Sequence, residues 1–377
     1  MIETLRVQGF KSLRDTSLTL RPFTVLIGPN DSGKSSVLDA IRFLGRTQAE
    51  ALKELGAQSL QELSWMGTAG HLQWQVSGSA DGAPYVYELN WRASDGVVVG
   101  ESLTVRERKV IFLDQGLAKL FNADGARVGL QHEVPILPLG TVNEPRLLSV
   151  RRALRSSQRY HLDATALREP QPIMEAPTLS SRGHNLALVL DRILGEDRAA
   201  FEAIEATLRE LVPSLQGLAL HTVRIDANTH AKTLDFVLKD NGSKVRIPAA
   251  QASEGALLLT AFLALVYGDT PEILLVEEPE NGLHPRRLKA VLQLFRDIST
   301  GKVGNRPRQV IVTTHNPILL NEVQPEEVRV VTRTLEGGTT VKNFDELPDI
   351  RRHLEEFGVG ELWYLIGEEG LLKGAAP

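Results

Sequence analysis

The chain has 377 residues, no cysteine and a formal net charge of −5. The missing thiols exclude disulfides, thiolate metal sites and cysteine nucleophiles, and the mild acidity gives no global attraction for nucleic acid. With 42% hydrophobic and 24% charged residues, the composition is that of a globular chain, long enough for one large domain with an insertion or for two.

No apolar run approaches the ~20 residues of a bilayer span, so no membrane contact is expected. The start, Met1 to Val7, alternates like a strand and lacks the apolar region of a signal peptide, which points to a cytoplasmic location. Strands are expected over 2–9, 14–20 and 23–27. The third, Phe23-Thr24-Val25-Leu26-Ile27, runs into Gly28-Pro29-Asn30-Asp31-Ser32-Gly33-Lys34-Ser35. That stretch fits G-x-x-x-x-G-K-[ST] at every fixed position. Two glycines let successive N–H groups turn inward on a polyphosphate, and the helix beginning near Lys34 adds the positive end of its dipole. Lys34 reaches for the outer phosphates and Ser35 is placed to ligate Mg²⁺, so a nucleoside triphosphate site is expected here.

The phosphate-loop helix continues to about Leu44, with Val37, Leu38, Ile41 and Leu44 on one face, and a second helical pattern covers 48–63. From 71 to 113 the pattern turns to strands: His71–Val76, Tyr85–Trp91, Val97–Arg106 and Val110–Leu113. They read as an antiparallel sheet attached to the nucleotide-binding core. Between 135 and 180 prolines break the pattern. Arg146, Arg151, Arg152, Arg155 and Arg159 form a basic cluster there, assigned to a helix. It is either a solvated face or a contact to phosphate, of DNA or of bound nucleotide.

Amphipathic helices are expected at Asn185–Leu194 and Arg198–Leu211, then strands at 218–226, 233–239 and 244–247. An α/β rhythm returns with helix 254–267, strand 272–277, helix 285–299 and strands 308–314, 327–333 and 339–344. A phosphate loop at the start and α/β material at the end suggest one discontinuous core with its middle inserted. The expected division is residues 1–134 for the first part of the core, 135–215 for a mainly helical insertion, 216–344 for the second part, and a tail, 345–377. The tail is expected to dock on the core through Leu362-Trp363-Tyr364-Leu365-Ile366.

Three further motifs carry chemistry. Glu272 to Glu280 reads Glu-Ile-Leu-Leu-Val-Glu-Glu-Pro-Glu, a buried strand opening into acids. Glu277 is placed to hold Mg²⁺, directly or through water, and Glu278 to orient and polarise the attacking water. The strand Val310 to Thr314 ends at His315, which can donate to a γ-phosphate or to that water. Gln251-Ala252-Ser253-Glu254-Gly255 precedes a helix, and a Ser and a Gly at a helix start make an anion-binding end. The plainer reading is that Ser253 merely caps that helix and Glu254 favours its dipole.

In this order the four motifs resemble the ATP-binding-cassette (ABC) ATPase superfamily. They are most similar to the branch with RecF, Rad50, SMC heads and the overcoming-lysogenization-defect (OLD) ATPases, and to OLD-like and RecF-like AAA-family ATPases of the AAA_21/AAA_15 type. The opening Val7-Gln8-Gly9-Phe10-Lys11-Ser12-Leu13 is similar to that branch's first strand. Ser253-Glu254-Gly255 looks like a shortened signature motif. Glu277-Glu278-Pro279-Glu280-Asn281-Gly282-Leu283-His284-Pro285 is similar to its Walker B and D-loop, and His315 sits where the switch His belongs. The resemblance covers 1–45 and 250–335 and is thin over 65–245. Two departures stand out: Glu277 replaces the usual Asp, and no Q-loop glutamine can be placed.

The resemblance implies an α/β P-loop NTPase fold with an ABC-ATPase-like core, a mixed central sheet plus antiparallel β-subdomain, and a mainly helical insertion. It implies ATP and Mg²⁺ as ligands. Lys11, Asn30, Ser32, Gly33, Lys34, Ser35, Ser36, Ser253 and Gly255 would contact nucleotide, Ser35 and Glu277 the metal, and Glu278 and His315 the reaction. It further implies a homodimer with ATP sandwiched between subunits, hydrolysis to ADP and phosphate, and a separate effector protein in anti-phage defence or DNA repair. The alternative is an ATP-modulated DNA-binding clamp of RecF/Rad50 type. The stretch after 333 is short for a TOPRIM nuclease domain, and none is expected.

Overall fold

The computed structural model describes residues 1–68, 70–114, 117–121, 127–131, 137, 144–174, 178–226, 228–240, 243–304, 306–347 and 357–363. In chain order the elements are β1 (Ile2–Phe10), β2 (Leu13–Thr19), β3 (Phe23–Ile27), α1 (Lys34–Phe43) and α2 (Gln48–Leu55). There follow β4 (His71–Ala80), β5 (Ala83–Arg92), β6 (Val97–Val105), β7 (Arg108–Asp114), β8 (Leu117–Phe121) and β9 (Arg127–Gln131). Next come α3 (Pro145–Arg155), β10 (Ser157–Tyr160), α4 (Ala164–Leu167), β11 (Gln171–Pro172), α5 (Leu186–Glu196) and α6 (Arg198–Leu211). The chain continues through β12 (Leu215–Arg224), β13 (His230–Asp240), β14 (Ser243–Pro248), α7 (Glu254–Tyr267), β15 (Ile273–Glu277) and α8 (Pro285–Thr300). It closes with β16 (Gln309–Thr314), α9 (Pro317–Leu320), β17 (Val328–Arg333) and β18 (Thr339–Asn343). Two compact units result, one from Met1–Gln158 and Thr313–Pro377, the other from Arg159–Val312.

In the first unit an eight-stranded antiparallel sheet runs β2-β1-β4-β5-β6-β7-β8-β9. Its period-2 pattern points Leu72, Trp74, Val76 and Tyr87 to the buried face. Beside it β3 pairs in parallel with β17, with Val25 opposite Val328, and β17 pairs antiparallel with β18. All five residues of β3 are buried, as a two-sided parallel strand requires. The sheet grips the phosphate-loop helix from behind. Phe43 of α1 stacks on Trp74 of β4 with centroids 4.5 Å apart, Phe10 and Trp91 close the cluster, and the Trp74 indole N–H donates to the Ala40 carbonyl at 3.1 Å. Such aromatic pairs add about 0.5–1.5 kcal/mol each beyond area burial. The anchor therefore fixes the axis of α1.

The helix expected over 48–63 stops at Leu55, because Gly56 adopts φ 67° and its N–H turns back to the Leu52 carbonyl. At the end of the chain, residues 359–363 form a helical turn. Leu362 and Trp363 are buried and the Gly360 N–H donates to Asn321 Oδ1. The rest of that apolar run, 364–366, lies outside the described residues, as do 138–143 of the expected insertion.

In the second unit, α4, α5 and α6 precede a small antiparallel sheet in which β13 pairs with β11, β12 and β14. Helix α7 is buried on nearly every side, from Gly255 to Val266, so it is a core helix rather than an amphipathic one. Strand β15 is apolar and buried from Ile273 to Val276 and surfaces at Glu277. No helix among the described residues is long and apolar enough to cross a membrane.

Candidate nucleotide site

In the first unit the loop after β3 is a cradle that tolerates no side chain at two points. A Cβ on Gly28 would lie 2.0 Å from the Val331 carbonyl oxygen. One on Gly33, at φ 105°, would lie 2.0 Å from Thr339 Oγ1 and 2.7 Å from Ser12 Oγ. Asp31 also takes a left-handed conformation, φ 64°. Lys34 is buried and donates from Nζ to the carbonyls of Gly28 at 2.6 Å and Pro29 at 2.7 Å, curling over its own loop. Ser32 Oγ is buried without a hydrogen-bond partner, while Asn30 and Ser35 are exposed. A buried hydroxyl with nothing to bond leaves a donor that a water or a ligand can satisfy. A glycine-bared loop at a helix start with a lysine over it fits a polyphosphate.

Below the loop lies a hydroxyl cluster. Thr339 Oγ1 donates to the Ser32 carbonyl at 2.9 Å and sits 2.8 Å from Ser12 Oγ, which is 2.9 Å from Ser36 Oγ. Lys11, at φ 47°, donates to Asp39 of α1 at 2.6 Å. His315 follows the buried strand β16 and is exposed, and the next residue, Asn316, caps α9.

The second unit carries the acids. Glu278 sits at φ 45°, a conformation that costs a non-glycine residue about 1 kcal/mol or more and clusters at functional sites. Its carboxylate accepts from Asn281 Nδ2 at 2.9 Å. Glu277 is held by a residue that the sequence reading put on a helix. Arg159 lies on β10, and its Nε and Nη2 approach Glu277 Oε2 at 2.7 and 2.6 Å. His161 Nδ1 is 3.9 Å from the same oxygen. No local signal joins residues 118 apart in sequence.

Ser253 and Gly255 open α7. Ser253 stands at the N-cap position of α7 and is exposed, and Glu254 lies in the first turn, but the Ser253 hydroxyl makes no capping bond. Gly255 meets the turn after Glu278: a Cβ there would be 2.7 Å from Arg287 Nη1 and 3.1 Å from the Gly282 carbonyl. One on Gly282 would strike Leu258 at 2.6 Å and Glu254 Oε1 at 2.7 Å. The two glycines therefore let the start of α7 and the acidic turn pack face to face. Among the described residues no three His, Asp or Glu are grouped to hold a metal by themselves. Mg²⁺ carried on phosphates needs only one or two protein oxygens.

The basic cluster is largely spent within the chain. Arg146 bonds Glu144 at 2.7 Å, Arg152 Asp81 at 2.6 Å, Arg155 Glu50 at 2.5 Å, and Arg159 Glu277. Burial would raise the Glu50 carboxyl, but hydrogen bonds from Arg155 and Thr47 outweigh it and hold the group below its ordinary range.

The fold that carries these residues has relatives among known proteins. The ATP/GTP phosphatase of Helicobacter pylori is 21% identical over 334 residues, 84% of this chain and 85% of that one. The chromosome partition proteins Smc of Methanocaldococcus jannaschii and Coxiella burnetii are 44% identical over 54 residues and 32% over 155. Those matches take in 14% and 40% of this chain but only 5% and 12% of the Smc proteins' own length. Among solved structures, an Smc head bound to the C-winged-helix domain of ScpA superposes with TM-score 0.55 at 17% identity, covering 90% of this chain and 96% of that one. The Smc head of Pyrococcus furiosus gives 0.52 at 16%, covering 94% and 98%. These likenesses establish the fold as that of SMC-head P-loop ATPase domains. The family model described as "AAA domain, putative AbiEii toxin, Type IV TA system" matches residues 23–321, and the chain belongs to that family, one of AAA/ABC-type ATPases.

Proposed function

We propose that the chain binds ATP with Mg²⁺, closes as a homodimer around it and opens on hydrolysis to ADP and phosphate. Lys34, the loop N–H groups and Ser32 would hold the phosphates, with Lys11, Asn30, Gly33 and Ser36 around them. Ser35 and Glu277 would meet Mg²⁺, whose charge would offset that developing on the transferred phosphoryl group. Glu278 orients the attacking water and takes its proton, and His315 donates to the γ-phosphate. Ser253 and Gly255 would bind the same nucleotide from the second subunit.

One observation carries the dimer: α7 opens with an exposed serine whose hydroxyl caps nothing, beside a glycine that needs its bare backbone. An exposed helix start left without a side-chain cap can be completed by an anion. The switch is read as acting on a separate effector. A solved Smc head holding part of ScpA supports a protein partner, and a family description naming a toxin supports a defence setting over DNA repair. The DNA-clamp alternative is the less supported reading, since four of the five arginines that suggested it face acids of this chain.

The test is Glu278→Gln. Phosphate release should fall about 10²–10⁴-fold, the usual weight of a general base. The variant should gather into dimers in ATP by light scattering and stay apart without it. A Glu278→Gln protein that remains monomeric in saturating ATP ends the sandwich reading.

A further inference from the structure

Glu277 is not left waiting for a metal. Nη2 and Nε of Arg159 converge on one of its oxygens, Oε2, at 2.6 and 2.7 Å, and the Glu277 side chain is only 10% exposed. Charge-assisted contacts this short, away from bulk water, are the strong kind. Arg159 stands on β10 and Glu277 ends β15, so both backbones are fixed by strands. We infer that Arg159 is a built-in cation that occupies the metal carboxylate and competes with Mg²⁺ for it. The inference rests on the reading of Glu277 as the metal carboxylate. Its consequence is a site set to a weak metal affinity, filled only when nucleotide phosphates add their own oxygens. Free Mg²⁺ is thereby refused and Mg²⁺·ATP accepted, and ATP loading is tied to release of Glu277 from Arg159. The extra methylene of Glu over Asp fits this role, since a longer side chain can turn between two cations.

The probe is Mn²⁺, titrated in the presence of a non-hydrolysable ATP analogue, with free Mn²⁺ read by electron paramagnetic resonance. Arg159→Gln should lower the half-saturating Mn²⁺ about tenfold or more, because it removes a full positive charge that the incoming divalent cation must otherwise displace or oppose at close range. Arg159→Lys, which keeps the charge and gives up the fork, should fall between. Glu277→Gln should raise the half-saturating Mn²⁺, and the double variant should match Glu277→Gln alone, as the competitor reading requires if Arg159 affects the metal through that carboxylate. Arg159→Gln leaving Mn²⁺ affinity unchanged or weaker, with Glu277→Gln still weakening it, overturns the competitor and leaves the metal reading standing. Glu277→Gln with no effect removes the metal reading itself. Should Arg159→Gln fail to fold, from a carboxylate left without its partner, the Lys variant decides: tighter Mn²⁺ than wild type supports the inference, equal or weaker overturns it.

Discussion

Among the described residues two helix starts combine a missing side-chain cap with a glycine, and they are bare for different reasons. Helices α2, α3, α4, α6, α8 and α9 each begin with a side chain that accepts from the first turn. Helices α1, α5 and α7 do not: at α5 the Asn185 side chain is taken by Ser180 and Thr178, while at α1 and α7 a glycine stands in or beside the opening. At α1 the surroundings are supplied from within: Ser12, Ser36 and Thr339 pack against Gly33, and Lys34 covers the loop. At α7 the backbone is packed from below by Gly282 and Arg287, while Ser253 and Glu254 face out. One helix start is enclosed by its own unit and the other is presented at the surface. On the proposed function, the enclosed start would bind its anion alone and the presented one would need a partner to bring the ligand.

The comparison breaks most sharply at α1. Lys34→Ala should cost about 10²–10³-fold in phosphate release, the loss that follows removal of one preorganised donor to developing charge. It should also abolish ATP-induced dimers, because the enclosed end must load first. Gly33→Ala should act on the fold as well as the ligand. With φ 105° and 2.0 Å to Thr339 Oγ1, the methyl costs about 3 kcal/mol from backbone strain and overpacking together. A urea midpoint unchanged by Gly33→Ala would show that the loop is soft, and that enclosure is not what sets α1 apart.

The presented end predicts the opposite dissociation of effects. Ser253→Ala should leave the thermal midpoint where it is, since no capping bond is lost. It should still reduce turnover about tenfold and shift the dimer transition to higher protein concentration, the weight of one lost hydrogen bond to a charged ligand. The control is Thr47→Ala at α2, whose hydroxyl accepts from Glu50 in a full capping box. That variant should lose about 1 kcal/mol and leave turnover alone. Equal losses of stability at both caps would mean that Ser253 is an ordinary cap.

How much of this was legible follows from range. Features written within a dozen residues were readable: the apolar run of β3, the spacing from Gly28 to Ser35, and the apolar face of α6, whose bounds 198–211 the structure keeps. The acids after β15 were readable for the same reason. The overrun of α2 came from treating Gly56 as a tolerated helix residue, when it takes the left-handed conformation that ends one. Arg159 was misassigned because four arginines precede it at helical spacing, and one residue of non-helical backbone at Ser156 is enough to start β10. Its partner Glu277 is a tertiary fact. So is the seat of Thr339 beneath a loop three hundred residues earlier. Strand strength and helix spacing are local; what stands opposite a functional side chain is decided by sheet order, which no window of sequence contains.

Thr339 supplies the smallest and most discriminating effect. It is 2% exposed, and its hydroxyl joins the Ser32 carbonyl to Ser12, so it braces the enclosed cradle without being placed to touch nucleotide. Thr339→Val keeps the shape and removes the hydroxyl, leaving a buried carbonyl short of a donor at about 1–2 kcal/mol. If the brace positions the loop, ATP affinity should fall about fivefold, on the order of 1 kcal/mol, and Thr339→Ser should recover most of it. Ser253-dependent dimerisation at saturating ATP should then be unaffected, because the presented end takes no support from Thr339. A Val variant that loses stability but binds ATP as before would make the hydroxyl a packing detail, and the enclosed end would owe its geometry to Gly28 and Gly33 alone.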